Sequence, residues 1–302
     1  MSRFFGSALA AVCVPGFLYA QAVLTFNGAN GGNWFASNAW LNESGAPCDW
    51  QDGSIAVMTN KGPDLTSSAS VYGLRAHLTQ YTRFSGSGRL TVGAGGILKT
   101  GGGEMNIQFA GGLHLAVSQP WLAPDGGLIC LDGLKPLTAA DGAVLTGGGR
   151  ASLRMNAGGG LGPTNTIWVT DNAYLSISSG GSLGAPVIVL DGPGKRLEAD
   201  AGFVFNAPRL CSRLVLRNAA SINGGACTYG LGKLEADAPG FSTQVVSTVS
   251  FSSWALSVAE TECAVVAPAA LLLSTPLNNA SGVTAALRKT GDGMLVLNAA
   301  GA

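Results

Sequence analysis

Residues 159–190 read GGLGPTNTIWVTDNAYLSISSGGSLGAPVIVL. Two segments of this stretch, at 166–170 and 174–178, alternate with a period near two, and a third, at 187–190, is a short run of apolar residues. Each segment is short and is bounded by Gly, Asn, Asp or Pro. This pattern is typical of short β-strands joined by tight turns. The stretch therefore predicts an all-β fold in which strands follow one another closely along the chain.

The chain also repeats itself at intervals of a few tens of residues. Three motifs occur twice: Gly-x-Leu-Gly at 159–162 and 181–184, Leu-Glu-Ala-Asp-Ala at 197–201 and 234–238, and Lys-Thr-Gly-x-Gly at 99–103 and 289–293. Self-similarity on this scale indicates stacked repeats that bury their apolar sides against one another. With about 22 residues in each coil, residues 61–302 predict about eleven coils and a rod of roughly 50 Å. A β-sandwich or a β-propeller is the alternative architecture.

Composition agrees with a stacked coil. The 302 residues include 45 Gly, only 11% are charged, and the net charge is zero. Ordinary globular chains have about 7% Gly and about 25% charged residues. Corners need the positive φ angles that Gly adopts, and like charges stacked on neighbouring strands repel. The balance of 17 basic against 17 acidic residues also argues against a nucleic-acid partner.

The N-terminal residues 1–22 have the features of a secretory signal. Arg3 precedes an apolar run over 9–19, and Ala20-Gln21-Ala22 is a small-x-small cleavage site. We therefore expect export and no transmembrane segment in the mature chain; an uncleaved anchor helix is the alternative. Cleavage removes Cys13 and leaves five cysteines, an odd number, of which Cys211 and Cys227 could form a disulfide in an oxidising compartment.

The Lys-Thr-Gly-x-Gly segments carry a family resemblance. The sequence at 287–297 resembles the autotransporter-associated β-strand repeat, whose pattern is L-x-K-x-G-x-G-x-L-x-L, and 97–107 is similar to it with apolar exchanges. The matching positions are Leu287, Lys289, Gly291, Gly293, Leu295 and Leu297, and Ile97, Lys99, Gly101, Gly103, Met105 and Ile107. The resemblance implies a right-handed parallel β-helix exported to the extracellular side or outer cell surface of a Gram-negative-type bacterium. It also implies either a longer parent chain or a separate outer-membrane translocator as a partner.

Three tryptophans lie close to the mature N-terminus. Trp34, Trp40 and Trp50 fall within residues 23–60, which resemble the head segment of many proteins with these repeats. We expect them to form a Trp-rich cap over the first coil, because a solenoid end needs its strand edge covered. If exposed, they would instead form a binding surface for a glycan or a partner protein.

Catalytic candidates are few. The repeated Glu-Ala-Asp places Glu198 with Asp200, and Glu235 with Asp237, at a spacing that puts both carboxylates of a pair on one face of a strand. We expect the two pairs to stack on one outer face, where they could act as acid and base on a glycan or bind a cation. An ordinary solvated face is the alternative.

The sequence thus predicts an exported, non-enzymatic structural β-helix for adhesion or cell-envelope contact. The alternative is a polysaccharide-active or glycan-binding β-helix. The two histidines lack metal-ligand spacing, and no cofactor or metal is predicted.

Overall fold

The computed structural model describes residues 21–178, 180–200, 203–206, 209–275 and 277–298, with the backbone alone at Lys195. The regular secondary structure of these residues consists of β-strands alone. No helix in the described part of the chain is long and apolar enough to cross a membrane. The signal predicted at 1–22 lies almost wholly outside the described residues.

The strands follow one another through the whole described chain. The first ten are β1 (Val23–Phe26), β2 (Trp40–Leu41), β3 (Pro47–Cys48), β4 (Ile55–Thr59), β5 (Ala69–His77), β6 (Thr82–Gly86), β7 (Leu90–Thr100), β8 (Glu104–Phe109), β9 (Leu113–Leu115) and β10 (Gln119–Leu122). The next ten are β11 (Leu128–Lys135), β12 (Leu137–Ala139), β13 (Val144–Gly148), β14 (Ser152–Leu161), β15 (Thr166–Val169), β16 (Tyr174–Ile177), β17 (Ser182–Gly184), β18 (Val187–Asp191), β19 (Gly194–Ala199) and β20 (Phe203–Phe205). The remaining strands are β21 (Arg213–Arg217), β22 (Ala220–Tyr229), β23 (Lys233–Asp237), β24 (Val245–Leu256), β25 (Glu260–Val265), β26 (Ala269–Leu273), β27 (Leu277–Asn279), β28 (Ala286–Thr290) and β29 (Met294–Leu297).

Two long parallel sheets form the walls of a β-solenoid. The first sheet runs β4-β5-β7-β10-β13-β15-β18-β21-β23-β25-β28, and the second runs β6-β8-β11-β14-β16-β19-β22-β24-β26-β29. Short strands such as β9, β12 and β17 complete each coil on a third side. A representative coil passes from β10 in the first sheet to β11 in the second, to β12, and back to the first sheet at β13. The predicted parallel β-helix is confirmed, and the sandwich and propeller alternatives are wrong.

A continuous ladder of inward-facing residues shows how many coils stack. Successive register partners along the first sheet are Leu74, Ile97, Trp121, Gly147, Val169, Leu190, Leu216, Ala236 and Val265, all buried. One further coil reaches β28, which gives nine coils and a rod of about 43 Å. The expectation of eleven coils is wrong because coils lengthen at their corners, up to 29 residues between Ala236 and Val265.

Packing inside the ladder matches large residues to small ones. Trp121 is fully buried, and its register partner in the next coil is Gly147. A Cβ atom added at Gly147 would lie 2.5 Å from Cδ1 of Leu153, so the Leu153 side chain would have to move to admit it. Interiors packed to crystal-like density tolerate little extra volume, and we therefore expect a larger residue at this position to disturb the packing.

The tryptophan cluster closes the first coil. Strand β2 pairs antiparallel with β1, strand β3 pairs antiparallel with β2, and the two cover the edge of the first sheet. Trp34 and Trp40 have no exposed surface, and the ring centroids of Trp34, Trp40 and Trp50 lie 4.7–4.9 Å apart. The Trp-rich cap is confirmed. The exposed binding surface is wrong for Trp34 and Trp40, because their rings pack into the core.

The two Lys-Thr-Gly-x-Gly copies occupy equivalent corners between the first and second sheets. Lys99 is fully buried, and its Nζ donates to the carbonyl oxygen of Gly101 at 2.5 Å and to that of Gly126, one coil further on, at 3.3 Å. Lys289 likewise donates to the carbonyl oxygen of Gly291 but is exposed. Lys99 therefore links its own corner to the next coil, and Lys289 links the residues of its own corner.

Candidate functional site

The two Glu-Ala-Asp copies lie on different sheets. Glu198 belongs to β19 of the second sheet, where its register partners are Ser176 and Asn223. Glu235 belongs to β23 of the first sheet, beside Val215. The expected stack of four carboxylates on one face is therefore wrong. The two copies are 37 positions apart in sequence, which is about one and a half coils. The second copy therefore lies on another side of the solenoid.

The first-sheet copy is occupied by arginines of the preceding coil. Arg213 donates from Nε and from its terminal nitrogen to the two carboxylate oxygens of Glu235, both at 2.7 Å. Arg217 makes the same two-pronged contact with Asp237 at 2.7 and 2.8 Å. These hydrogen bonds raise the pKa values of both arginines. Glu235 and Asp237 therefore hold adjacent coils together.

The second-sheet copy lines an open groove of about 450 Å³ on the outer face of β11, β14, β16 and β19. We call this the second-sheet groove. Its lining residues are Asp132, Arg154, Asn156, Tyr174, Ser176, Ser178, Glu198 and Asp200. Every one of them carries a polar side chain, and three carboxylates face one guanidinium.

Strand register sets the positions of these groups. Arg154, Ser176 and Glu198 are partners on successive strands, so Arg154 and Glu198 are separated by two strand spacings, about 10 Å. The Cα atoms of Glu198 and Asp200 are two residue positions apart, which is about 7 Å in an extended chain.

Asp132 and Asn156 form a hydrogen-bonded part of the groove floor. The Asp132 carboxylate accepts hydrogen bonds from the backbone N–H of Gly133 at 2.7 Å, from Nδ2 of Asn156 at 3.1 Å and from Nε2 of Gln108 at 3.4 Å. The Gly133 bond is the largest of the effects that lower the pKa of Asp132. Asp132 is therefore an ionised acceptor at neutral pH and unsuited to the role of general acid.

A β-bulge borders the groove next to Asp132. The register of β11 against β14 shifts between Leu131 and Lys135, and Leu134 there has φ of 55° with half of its surface exposed. A bulky residue at positive φ is strained, and bulges redirect side chains at the edges of sites. Regular pairing between β11 and β14 therefore ends next to Asp132, at the edge of the groove.

The five described cysteines are free, so Cys211 and Cys227 do not form the disulfide that the sequence left open. Burial raises the pKa of Cys227 to about 12 and that of Cys263 to about 11, and it also raises the pKa of Cys211. Among the described residues, no group of three or more His, Cys, Asp or Glu side chains is arranged to hold a metal ion.

Sequence reasoning found Glu198 and Asp200 but missed Asp132, Arg154, Asn156 and Tyr174. Each of these lies in a different coil from the acidic pair, and none belongs to a local motif. The sequence does contain one indication of the groove, because Arg154, Ser176 and Glu198 follow one another at intervals of 22 residues, about one coil. Outward polar positions at the coil period would have predicted part of the groove.

Comparisons of this chain with protein-family models, with curated proteins and with solved structures found no match.

Proposed function

We propose that the chain is an exported structural β-solenoid that forms a rigid, passenger-type rod at the outer cell surface. Adhesion or contact with the cell envelope is the role we assign to the rod. The signal at 1–22 and the repeat resemblance at 97–107 and 287–297 support export.

Ion pairs between successive coils are the observation that carries the structural role. The two bidentate pairs between β21 and β23 are followed along the same sheet by Arg288, which contacts Glu260 at 2.6 Å and Glu262 at 3.3 Å. These ion pairs on the outer face of the first sheet link neighbouring coils. Networks of such pairs favour one strand register over the alternative registers, and a straight rod requires a single register.

Export is tested with the full chain expressed in a Gram-negative host. We expect cleavage after Ala22, measured by mass spectrometry, and mature protein that is shed into the medium or accessible to protease on intact cells. The matched control carries Leu9→Arg and Val12→Arg, which interrupt the apolar run, and should remain uncleaved in the cytoplasm. A wild-type chain that stays uncleaved, or that is processed but confined to the periplasm, contradicts the proposal.

A polysaccharide-active protein is the second candidate, because Glu198 and Asp200 line the second-sheet groove beside Arg154 and Tyr174. Paired carboxyl groups cleave glycosidic bonds when one donates a proton and the other acts as base or nucleophile. A polysaccharide-degradation screen tests this, with Glu198→Gln and Asp200→Asn expected to abolish cleavage. The same substitutions at Glu235 and Asp237 should leave it intact. A wild-type chain that cleaves none of the polysaccharides refutes this candidate.

A further inference from the structure

We propose that the C-terminal end of the solenoid binds a second copy of the chain end to end, through the strand edges of β28 and β29. Such pairing goes beyond the rod proposed above and does not depend on export. Two features of the molecule point to it: the contrast between the two ends of the solenoid, and the pattern of side chains at the C-terminal end.

The N-terminal end of the solenoid is closed on both sheets. On the first sheet, β2 and β3 cover β1, and Pro47 in the outermost strand β3 has no N–H to donate. On the second sheet, backbone bridges continue past β6 from Ser85 to Asp64 and from Asp64 to Asn33. This end therefore offers a second copy only a two-residue edge strand that contains a proline.

The C-terminal end is open on both sheets. Within the described residues, β28 pairs only with β25 and β29 only with β26, so the other edge of each strand has no strand partner. Met294 and Leu297 are 44% and 56% exposed, whereas Leu273, the register partner of Leu297 in the preceding coil, is 1% exposed. The end surface is thus a section through the apolar core, which is typical of interfaces in permanent complexes.

The charges on β28 select which strand edges meet. Arg288 and Lys289 are adjacent on β28, so pairing β28 with its own copy would set basic side chains against one another. Strand β29 reads Met-Leu-Val-Leu and carries no charge, so pairing β28 of one copy with β29 of the other avoids this repulsion. A two-fold axis through the corner between the two strands forms both antiparallel pairs at once, and closed two-fold dimers are the commonest oligomers.

The alternation of inward and outward side chains fits this arrangement. Leu287 and Leu297 both face inward, because the residues that precede them in the stack are buried. With the two-fold axis at Asp292, midway between the strands, Leu287 lies opposite Leu297 of the second copy, and Arg288 lies opposite Val296. Inward side chains then meet inward side chains, so the two apolar cores become continuous.

Lys289 is covered in such a dimer, and Lys99 shows that this corner accommodates a buried lysine. Lys99 is fully buried and donates to carbonyl oxygens of two successive coils. Asp125 attracts Lys99, and Asp292 attracts Lys289, so each ammonium has a carboxylate near it. A second copy can therefore bury Lys289 beside a carboxylate and supply one more carbonyl oxygen.

Self-association is measured by sedimentation velocity of the full mature chain over a range of concentrations. We expect a monomer–dimer equilibrium with a Kd of about 10 μM and no species larger than a dimer. In small-angle X-ray scattering, the maximum dimension should nearly double on dimerisation, because two rods of about 43 Å lie end to end.

Two leucines of similar exposure provide a matched pair of variants. Leu297→Asp places a charge in the interface and should weaken dimerisation by about tenfold or more. Leu134 is 50% exposed on the side of the rod, and Leu134→Asp should change the Kd by less than about twofold.

A disulfide cross-link tests the register and cannot arise from misfolding of a destabilised variant. In the double variant R288C/V296C, the two cysteines of one copy lie opposite those of the other, with Cα atoms about 5 Å apart. Oxidation with diamide should therefore give a covalent dimer on a non-reducing gel. Each single variant lacks the opposing cysteine and should remain monomeric on that gel.

Several results would overturn the proposal. A wild-type chain that stays monomeric at about 100 μM has no such interface, and equal effects of L297D and L134D place the contact elsewhere. Species longer than a dimer show that copies stack onto the capped end, and a dimer no longer than the monomer shows side-by-side contact. Cross-linking of R288C alone puts β28 against its own copy. A monomeric chain that is exported leaves the rod function standing.

Discussion

Lys99 and Lys289 occupy the same corner motif in different surroundings, and this pair gives the sharpest test of how the motif works. Lys99 is fully buried and donates to the carbonyl oxygens of Gly101 and Gly126, in two consecutive coils. Lys289 donates to its own corner and is exposed. Substituting methionine at each position keeps most of the side-chain volume and removes only the ammonium group.

The expected loss follows from the two carbonyl contacts. A hydrogen bond to a charged group contributes about 1.5–3 kcal/mol, and the 3.3 Å contact with Gly126 lies at the weak end of that range. Methionine also removes the desolvation penalty of a buried ammonium, which offsets part of the loss. We therefore expect Lys99→Met to lower the free energy of unfolding by about 2 kcal/mol. Lys289→Met, at an exposed position, should change it by less than about 0.5 kcal/mol.

Urea unfolding of both variants, followed by far-ultraviolet circular dichroism and by tryptophan fluorescence, measures the difference. Coincidence of the two signals shows whether a single free energy of unfolding is defined. Equal effects of the two substitutions would refute the reasoning, because burial and the second carbonyl would then contribute nothing. A Lys99→Met chain more stable than wild type would also refute it, since desolvation would then outweigh both hydrogen bonds.

Three further predictions concern the cap, the ion pairs and the thiols. Trp40→Ala should destabilise the protein by about 3–5 kcal/mol and promote aggregation, measured by urea unfolding and light scattering, because it opens the covered sheet edge; unchanged stability contradicts the cap. A double-mutant cycle on Arg217 and Asp237 should give a coupling of about 0.5–1 kcal/mol, modest because both side chains are about one-quarter exposed; a coupling of zero shows that the pair is incidental. Cys48 should react with a maleimide in the native protein, and the four buried cysteines only in urea. Because burial raises the pKa values of those four, the unfolded chain loses thiol protons first, and the urea midpoint should fall as pH rises from about 8.5 toward 11; a midpoint that rises over that range contradicts this.

Much of the architecture could be predicted from local sequence. The sequence predicted strands at 166–170 and 187–190, and Ile167 and Ile188 of these strands are fully buried register partners in adjacent coils. The Gly-x-Leu-Gly copies lie in adjacent coils, where Leu161 is opposite Gly184, one residue from the equivalent Leu183. These features depend on period-two alternation and on corner residues, which are local properties of the chain.

The position of a motif around the coil could not be predicted in the same way. Coils vary from 18 to 29 residues, because insertions at corners change the length of a coil without changing its strands. Glu198 and Glu235 therefore have the same neighbours in sequence and different neighbours in space. The groove depends on which outward positions meet across four coils, and that is set by the accumulated lengths of all the corners between them.

The stacking order also bears on how the chain acquires its structure. Each coil contacts the coils before and after it, so the residues that pair are usually only 18 to 29 positions apart. The tryptophan cap provides a packed surface for the first coil, and each later coil can then form on the coil before it. Folding can therefore proceed vectorially from the N-terminal end as the polypeptide is delivered, with no need for the distant half of the chain to be present.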